Sequence, residues 1–172
     1  MLRYFLIGII IGGVLYTLMS RPAGKSDQVF RRPNSLERVF NRIFGMLIGL
    51  GLGLPHNYLL EVRGRKTGRL YTAPIDLLVL EGRRYLVCPR GRGQWVRNAE
   101  ASGRVVLKKG RTSNEYTLRA LPDSAKPAIL KSYLDSFKTT VQRYFPLPAG
   151  SPAAAFKPFA DRYPVFELTA VA

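Results

Sequence analysis

The residues best suited to chemistry in this sequence form a short basic turn, residues 64–69, which reads Gly-Arg-Lys-Thr-Gly-Arg. Glycine permits the positive φ of a tight turn and lets backbone N–H groups approach a ligand closely. The guanidinium groups of Arg65 and Arg69 are planar forks that match phosphate or carboxylate. Lys66 adds a point charge and Thr67 a hydroxyl. We interpret the turn as an anion cradle, the alternative being a solvated hairpin turn that is basic by chance.

A second glycine- and arginine-rich loop, residues 89–94, follows a later predicted strand. If both loops lie at the same end of a small sheet, their basic side chains converge and a long anionic ligand can bridge them. The alternative is two ordinary solvated turns. Trp95 follows the second loop directly, where it either stacks on a flat ring or packs in the core. The basic side chains in question are Arg65, Lys66, Arg69, Arg90 and Arg92.

Side chains that commonly carry out catalysis are scarce. The chain holds one histidine, His56, and one cysteine, Cys88. A single cysteine excludes an internal disulfide and any cysteine-based metal cluster. The sequence suggests no partner for His56, and Cys88 is typical of a small buried residue at a strand end. We therefore predict no catalytic side chain and no metal site, and we expect a bound cofactor to carry the chemistry.

Net charge limits the class of partner. The chain has 27 Lys and Arg against 11 Asp and Glu, a formal charge of +16, in 172 residues of which 47% are apolar. This composition supports one ordinary domain with a hydrophobic core and room for an appendage. So large a basic excess indicates a polyanionic partner: a nucleic acid, an anionic membrane surface or a multiply charged small molecule.

The N-terminal residues 4–20 carry no charge and reach the lower length limit of a membrane-spanning helix. A secretory signal peptide is the alternative, but the residues around Ser20 do not form the small-residue pattern of a cleavage site. We predict an uncleaved membrane anchor with its linker in residues 1–33. Basic residues behind the anchor place the following domain, residues 34–172, in the cytoplasm by the positive-inside rule.

A helix is predicted to begin at Asn34, which forms a capping box with Glu37, and to run to about residue 48. Apolar residues recur there at helical spacing, and basic residues occupy the other face. We expect this helix to pack on the domain, the alternative being contact with an anionic membrane surface. Four glycines in residues 45–55 favour a mobile, membrane-facing element after it.

From residue 58 onward the pattern changes to short β-prone runs separated by turns, with a longer helix from about 123 to 145. Pro74 lies inside the second run, which indicates a strand edge or a bulge. Five or six strands with few helices predict an α+β fold, a small antiparallel barrel with helices on its outside. The predicted strands are residues 58–62, 70–80, 84–88, 104–109, 115–121 and 164–171.

Several stretches together resemble the deazaflavin-dependent nitroreductase family. They are LEVRGRKTGR, LYTAPIDLLVLEGRRYLV and QWVRNAEASGRVVLKKG, in that order and with a glycine-containing loop before the third. Residues 164–167 look like the closing strand of that family, so the resemblance spans about residues 59–171. It implies a split β-barrel that binds coenzyme F420, an 8-hydroxy-5-deazaflavin whose tail carries a phosphodiester and several glutamates. That tail is a polyanion of the kind that the charge indicates.

The resemblance also implies roles for residues. The first turn is expected to hold the phosphate and tail, the proline-bearing strand to line the ring edge, and the second loop to contact the linker. Trp95 is expected to back the site. The candidates to wall the acceptor pocket are the large aromatic residues Trp95, Tyr144 and Phe156. The expected cofactor residues are Arg65, Lys66, Thr67, Arg69, Pro74, Ile75, Asp76, Cys88, Pro89, Arg90, Gly91, Arg92 and Trp95.

The sequence departs from the family's pattern at two places. The second loop is shorter and carries Pro89-Arg90 where a Ser-Lys pair is usual. The tyrosines that line the family's substrate pocket are poorly matched near the C-terminus, where Phe156 and Phe159 stand. These departures bear on nitro-compound reduction rather than on cofactor binding.

The expected function is that of a membrane-anchored reductase in which reduced coenzyme F420 passes a hydride to an apolar, quinone-like acceptor. One alternative is a non-catalytic deazaflavin carrier. Another is a basic module that binds lipid or nucleic acid, of which nucleic acid is the less favoured partner. FMN and haem are alternative cofactors, because similar barrels hold them.

Overall fold

Six antiparallel strands form a closed barrel in the computed structural model, which describes residues 35–171. The strands follow one another round the barrel in the order β1-β2-β3-β6-β5-β4, and β4 pairs back to β1. The predicted α+β fold with a small antiparallel barrel is confirmed. The strands are β1 Asn57–Arg63, β2 Leu70–Leu80, β3 Arg83–Val87, β4 Arg104–Lys109, β5 Thr112–Ala120 and β6 Val165–Ala170.

Helices flank the barrel, as predicted. The predicted helix from 123 to 145 is not one α-helix, because Phe137 leaves helical geometry (φ −121°, ψ 24°) and both ends tighten into 3₁₀ turns. A further 3₁₀ segment, Ala153–Arg162, lies between this helix and β6. Within the described residues the α-helices are α1 Ser35–Gly49, α2 Gln94–Ser102 and α3 Lys126–Val141.

The predicted membrane anchor, residues 4–20, lies outside the described residues, as do its linker and the predicted cap Asn34. Within residues 35–171 no helix is long and apolar enough to cross a membrane. The 16 residues of α3, for example, would span about 24 Å, less than the ~30 Å hydrocarbon core of a bilayer.

The strand β2 is paired unequally on its two sides. Its residues 70–76 pair with β1, but only residues 77–80 pair with β3. Pro74 lies opposite Leu59 of β1, in the part of β2 that β3 does not reach. Proline has no N–H to donate to a second neighbour, so it is tolerated at such an edge. The predicted edge position of Pro74 is confirmed.

Within residues 35–171, the buried apolar side chains other than Ile48 fall into two clusters. One fills the barrel and includes Leu60, Leu107 and Phe166, with Val96 and Ala99 of α2 packed onto it. The other lies outside the barrel, where α3 covers β2 and β3 and the 3₁₀ segment packs on α3. The helix α2 therefore packs one face on the barrel cluster, whereas α3 belongs to the outer cluster.

The helix α1 turns part of its apolar surface away from the domain. Ile48 is fully buried, whereas Val39, Ile43, Met46 and Leu50 are 55–73% exposed. Their spacing of four, three and four residues places these exposed side chains on one side of the helix. Packing on the domain, the expected role of this helix, thus accounts for only part of its apolar surface.

Candidate cofactor and acceptor site

The basic turn between β1 and β2 is closed by its own backbone. The N–H of Gly64 donates to the carbonyl of Arg69, and the N–H of Gly68 donates to the carbonyl of Gly64, both at 2.8 Å. Gly68 has a φ of +67°, and a Cβ on Gly64 would lie 2.4 Å from the Tyr71 ring. Both positions therefore require glycine. The side chains of the turn are left exposed, namely Arg65, Lys66, Thr67 and Arg69.

A buried amide ties this turn to α2. Asn98 is 3% exposed, and its Oδ1 accepts from the Arg65 side chain at 2.9 Å and from the Arg65 backbone N–H at 3.4 Å. Gln94 Oε1 accepts from the same guanidinium at 3.2 Å. These acceptors are neutral, so they orient Arg65 without cancelling its charge. Neither amide was among the residues predicted from the sequence, in which Gln94 belongs to the second loop; the helix that brings the two together begins at Gln94.

The two glycine-rich loops meet at a basic cavity of about 560 Å³. Arg65 of the first loop and Arg92 of the second line it, together with Arg97, Glu100 and Ala101 of α2. Arg92 donates to Glu100 through Nε at 3.0 Å and Nη2 at 2.7 Å. Three guanidinium groups against one carboxylate leave the cavity positive. Arg97 was not predicted, because its position on a helix gave no sign of contact with the loops.

Arg90 lies on a different side of the second loop from this cavity. Its guanidinium carbon lies 4.8 Å from the centre of the Tyr144 ring, at the C-terminal end of α3. Lys66 and Arg69 remain on the exposed surface of the first turn. Of the five basic side chains considered in the sequence, only Arg65 and Arg92 line the cavity itself.

Cys88 shapes the second loop. It is 3% exposed, and its thiol donates to the carbonyl of Gly91 at 2.8 Å. Burial raises the pKa of the thiol to about 12, so it stays protonated at neutral pH. Gly91 has a φ of +80°, and its N–H donates back to the carbonyl of Cys88 at 3.2 Å. The predicted role of Cys88 as a small buried residue is confirmed, with Pro89 and Arg90 held between these bonds.

The aromatic residues predicted to wall the acceptor pocket lie in different places. Trp95 packs against the barrel cluster, with its ring 6.3 Å from that of Phe166. Phe156 is 1% exposed in the outer cluster and packs on Phe145. Tyr144 is partly buried beside Arg90. Of the three, only Trp95 and Tyr144 present surface to a ligand.

A polar cluster lies at the edge of β2, next to Pro74 and Ile75. Asp76 Oδ1 accepts from Asn57 Nδ2 at 2.6 Å and lies 3.7 Å from His56 Nε2. Thr140 donates to the other carboxylate oxygen at 3.5 Å. Burial raises the pKa of Asp76, and the positive charge of His56 and the two donors oppose this rise. The fold thus supplies the partner for His56 that the sequence did not suggest.

Residues 36–144 match the family model described as F420H(2)-dependent quinone reductase. The chain belongs to this family. The match covers more than half of the chain and includes both glycine-rich loops, α2 and the Asp76 cluster. The resemblance seen in the sequence is confirmed, and the protein is a reductase whose cofactor is coenzyme F420. No match is found among the curated proteins.

Solved structures of similar fold include that of an F420-H2 dependent reductase, FDR-A. It is 16% identical, the alignment covers 67% of this chain and 95% of that chain, and the TM-score is 0.47. The haem storage protein HutZ from Vibrio cholerae is 8% identical, with 68% and 82% covered and a TM-score of 0.47. A FAD-binding protein from Mesorhizobium loti is 13% identical, with 84% and 94% covered and a TM-score of 0.45.

The donor set of this quinone-reductase family member suits its cofactor. The three guanidinium groups at the cavity and the exposed Lys66 and Arg69 are ligands for phosphate and carboxylate. A tail with a phosphodiester and several glutamates offers both. Within the described residues no group of three or more His, Cys, Asp or Glu is placed to hold a metal ion.

The raised pKa of Asp76 predicts a pH dependence of folding stability. A carboxyl whose pKa is higher in the folded state than its ordinary 3.8 favours the folded state when protonated. Its contribution is therefore present below that value and is lost as pH rises through the folded-state pKa. We expect the free energy of unfolding of the wild type, relative to Asp76→Asn, to fall as pH rises above the ordinary value of 3.8, as measured by urea unfolding.

The control for this measurement is Asp135→Asn, which should show the opposite sign. A hydrogen bond from Lys131 and one from the N–H of Gly150 lower the pKa of Asp135. The free energy of unfolding of the wild type, relative to Asp135→Asn, should therefore increase as pH rises through the acid range. If the stability difference from wild type changed with pH in the same direction for both variants, the opposite pKa shifts of Asp76 and Asp135 would be contradicted.

Proposed function

We propose that the protein is an F420-dependent quinone reductase that acts at a membrane surface on an apolar, quinone-like acceptor. The observation that carries the proposal is the match of residues 36–144 to the F420H(2)-dependent quinone reductase family. Bound reduced coenzyme F420 supplies a hydride to the acceptor. The protein supplies binding, orientation and exclusion of water.

The cofactor tail is assigned to the basic cavity and to the turn beside it. Arg65 and Arg92 line this cavity, and the amides of α2 fix the Arg65 fork in place. Lys66 and Arg69 extend the positive surface along the turn. A preorganised guanidinium loses little side-chain entropy when an anion binds. Thr67 contributes its hydroxyl.

The deazaflavin ring is assigned to the open edge of β2 and the neighbouring second loop. Pro74 and Ile75 are partly exposed there, and Asp76 follows them. The loop presents backbone groups close by, because the hydrogen bonds between Cys88 and Gly91 keep it compact. Trp95 backs the site as an apolar surface. In this proposal Pro89, Arg90 and Arg92 contact the linker between ring and tail.

The exposed stripe of α1 supports a membrane location. The stripe consists of Val39, Ile43, Met46 and Leu50, and the loop that follows adds Leu52 and Leu54, 40% and 59% exposed. Arg38 and Arg42 are exposed beside it. An apolar stripe flanked by arginines is the pattern of a helix that lies in the interface of an anionic bilayer. We therefore propose that this face contacts the cytoplasmic leaflet, behind the predicted N-terminal anchor.

The first test is turnover. Full-length enzyme in detergent should oxidise reduced coenzyme F420 when a soluble naphthoquinone is added, followed by the return of the visible absorbance of the oxidised cofactor. FMN and haem, titrated in parallel, should bind more weakly than coenzyme F420. Tight binding of coenzyme F420 without reduction of any quinone would instead support the non-catalytic carrier.

The second test addresses the tail. Lys66→Ala should weaken cofactor binding by about 1.5–3 kcal/mol, the scale of one hydrogen bond to a charged group. This corresponds to a roughly ten- to hundredfold rise in Kd. The loss should shrink at high salt, because Lys66 is exposed. Lys157→Ala, a lysine exposed on the 3₁₀ segment, is the matched control. If Lys66→Ala and the wild type bind coenzyme F420 with equal affinity at low salt, the turn does not contact the cofactor.

The third test addresses the membrane surface. Residues 1–25 are deleted so that the predicted anchor does not bind by itself; both core clusters lie in residues 58–168 and stay intact. The remaining chain should sediment with vesicles that contain anionic lipid. Changing Ile43 and Met46 together to Gln should lower vesicle affinity by about tenfold or more, because each side chain loses its burial in the bilayer.

The control for the vesicle experiment changes two apolar residues of similar exposure on the barrel. Leu70 and Val79 are 54% and 58% exposed, and changing both to Gln removes comparable apolar surface from another face. This control should bind vesicles like the parent. Equal loss in both double variants, or no loss in the α1 variant, would count against a specific membrane face.

A further inference from the structure

The only histidine of the chain occupies a defined place in the fold. His56 precedes β1, and its ring packs on Phe137 with 4.7 Å between ring centres. Phe137 is the residue at which α3 departs from helical geometry. The His56 side chain is 33% exposed, so one part of the ring contacts solvent while Nε2 lies 3.7 Å from Asp76.

Asp76 is held from several elements at once. Asn57 of β1 donates to Oδ1 at 2.6 Å, and Thr140 of α3 donates to Oδ2 at 3.5 Å. Its side chain is 17% exposed. Burial raises the pKa of this carboxyl, and the positive charge of His56 opposes the rise. Residues of β1, β2 and α3 therefore meet at Asp76, and His56 joins them from the segment before β1.

The pair lies beside the strand edge to which the deazaflavin ring is assigned. Asp76 directly follows Pro74 and Ile75 at the open edge of β2. On the other side, the exposed leucines of the proposed membrane face end at Leu54, two residues before His56. The pair therefore lies between the open edge of β2 and the end of the proposed membrane face.

Other ionisable groups surround the pair. Tyr133 of α3 interacts electrostatically with Asp76, Cys88 and Tyr144, and burial raises its pKa well above the ordinary range. Lys109 of β4 donates to the carbonyls of Leu54 and Pro55, at 2.6 and 2.9 Å. The phenol of Tyr133 and the thiol of Cys88 both hold their protons tightly, because both are buried. An imidazolium gives up its proton near neutral pH far more readily than either group.

Quinone reduction requires a proton as well as a hydride. Addition of a hydride to a quinone transfers two electrons and one hydrogen and leaves a quinolate anion. The anion becomes quinol when it takes up one proton at oxygen. A positioned general acid that titrates near neutral pH is suited to this step.

We propose that His56 donates this proton to the reduced acceptor and that Asp76 is the positioning residue that holds the imidazolium in place. The proposal rests on the proposed quinone reduction. The N–H bond of the imidazolium breaks, the O–H bond of the quinol forms, and the neutral imidazole regains a proton from water through its exposed side. This proposal departs from the sequence prediction of no catalytic side chain, because the partner of His56 became visible only in the fold.

The first readout is independent of activity. The side-chain carboxyl carbon resonance of Asp76 is followed by NMR against pH, with full-length protein in detergent. Burial raises the pKa of this carboxyl and the positive charge of His56 opposes the rise, so the midpoint should move to higher pH in His56→Gln. Lys157→Gln, a change at an exposed lysine of the 3₁₀ segment, should leave the midpoint in place. An unchanged midpoint in His56→Gln overturns the pair.

The second readout is steady-state quinone reduction at saturating cofactor. His56→Gln should lower kcat on the order of 100-fold, the usual contribution of a general acid, with an unchanged Kd for coenzyme F420. Added imidazole should restore part of the rate in His56→Gln but not raise that of the wild type. This rescue separates a lost proton donor from a damaged fold.

Two results would overturn the donor role. One is a kcat of His56→Gln within twofold of the wild type, and the other is a loss that imidazole does not relieve. A wild type that binds the cofactor but reduces no quinone overturns the proposed function and the donor role with it. The NMR titration still decides separately whether His56 and Asp76 form a coupled pair.

Discussion

The strand β2 is paired along its first seven residues with β1 alone and reaches β3 only at its last four. The wall of the barrel is therefore open on one side of Pro74, Ile75 and Asp76. A backbone edge without a neighbour leaves room for a planar ligand and for side chains from other elements. The end of α3 approaches this edge through Thr140, and the proposed site of the deazaflavin ring lies there. A β3 extended to pair with residue 74 would close the same space.

The positive charge of the chain is arranged so that it stays available. Arg65 is oriented by hydrogen bonds to the side-chain amide oxygens of Asn98 and Gln94, which carry no negative charge. Arg92 is paired with Glu100, yet the cavity that both line still holds two further guanidinium groups. Neutral acceptors orient the guanidinium but do not neutralise it, so its positive charge remains available to attract an anion. This arrangement would suit the polyanionic tail that the proposed function assigns to the cavity.

The proposed membrane face and the proposed proton donor are neighbours in the chain. The stripe of α1 continues into Leu52 and Leu54, and His56 follows at the start of the barrel. Lys109 fixes this connection by binding the carbonyls of Leu54 and Pro55. An acceptor that partitions into lipid would thus meet the imidazole at the boundary between the membrane and the cofactor site. In this arrangement the same short segment serves both access and chemistry.

The sequence by itself determined the features that depend on neighbouring residues. Hydrophobic alternation and turn glycines were enough to predict the strands of the barrel, the closed turn at residues 64–69 and the edge position of Pro74. The family resemblance identified the cofactor. Tertiary structure decided which distant residues meet. His56 with Asp76, and Arg65 with Asn98, are contacts 20 and 33 residues apart in the chain. Tertiary structure also placed Trp95 and Phe156 in different clusters and left one side of α1 exposed. Local propensity cannot specify such contacts, because they arise only when the whole barrel closes and brings its loops and helices together.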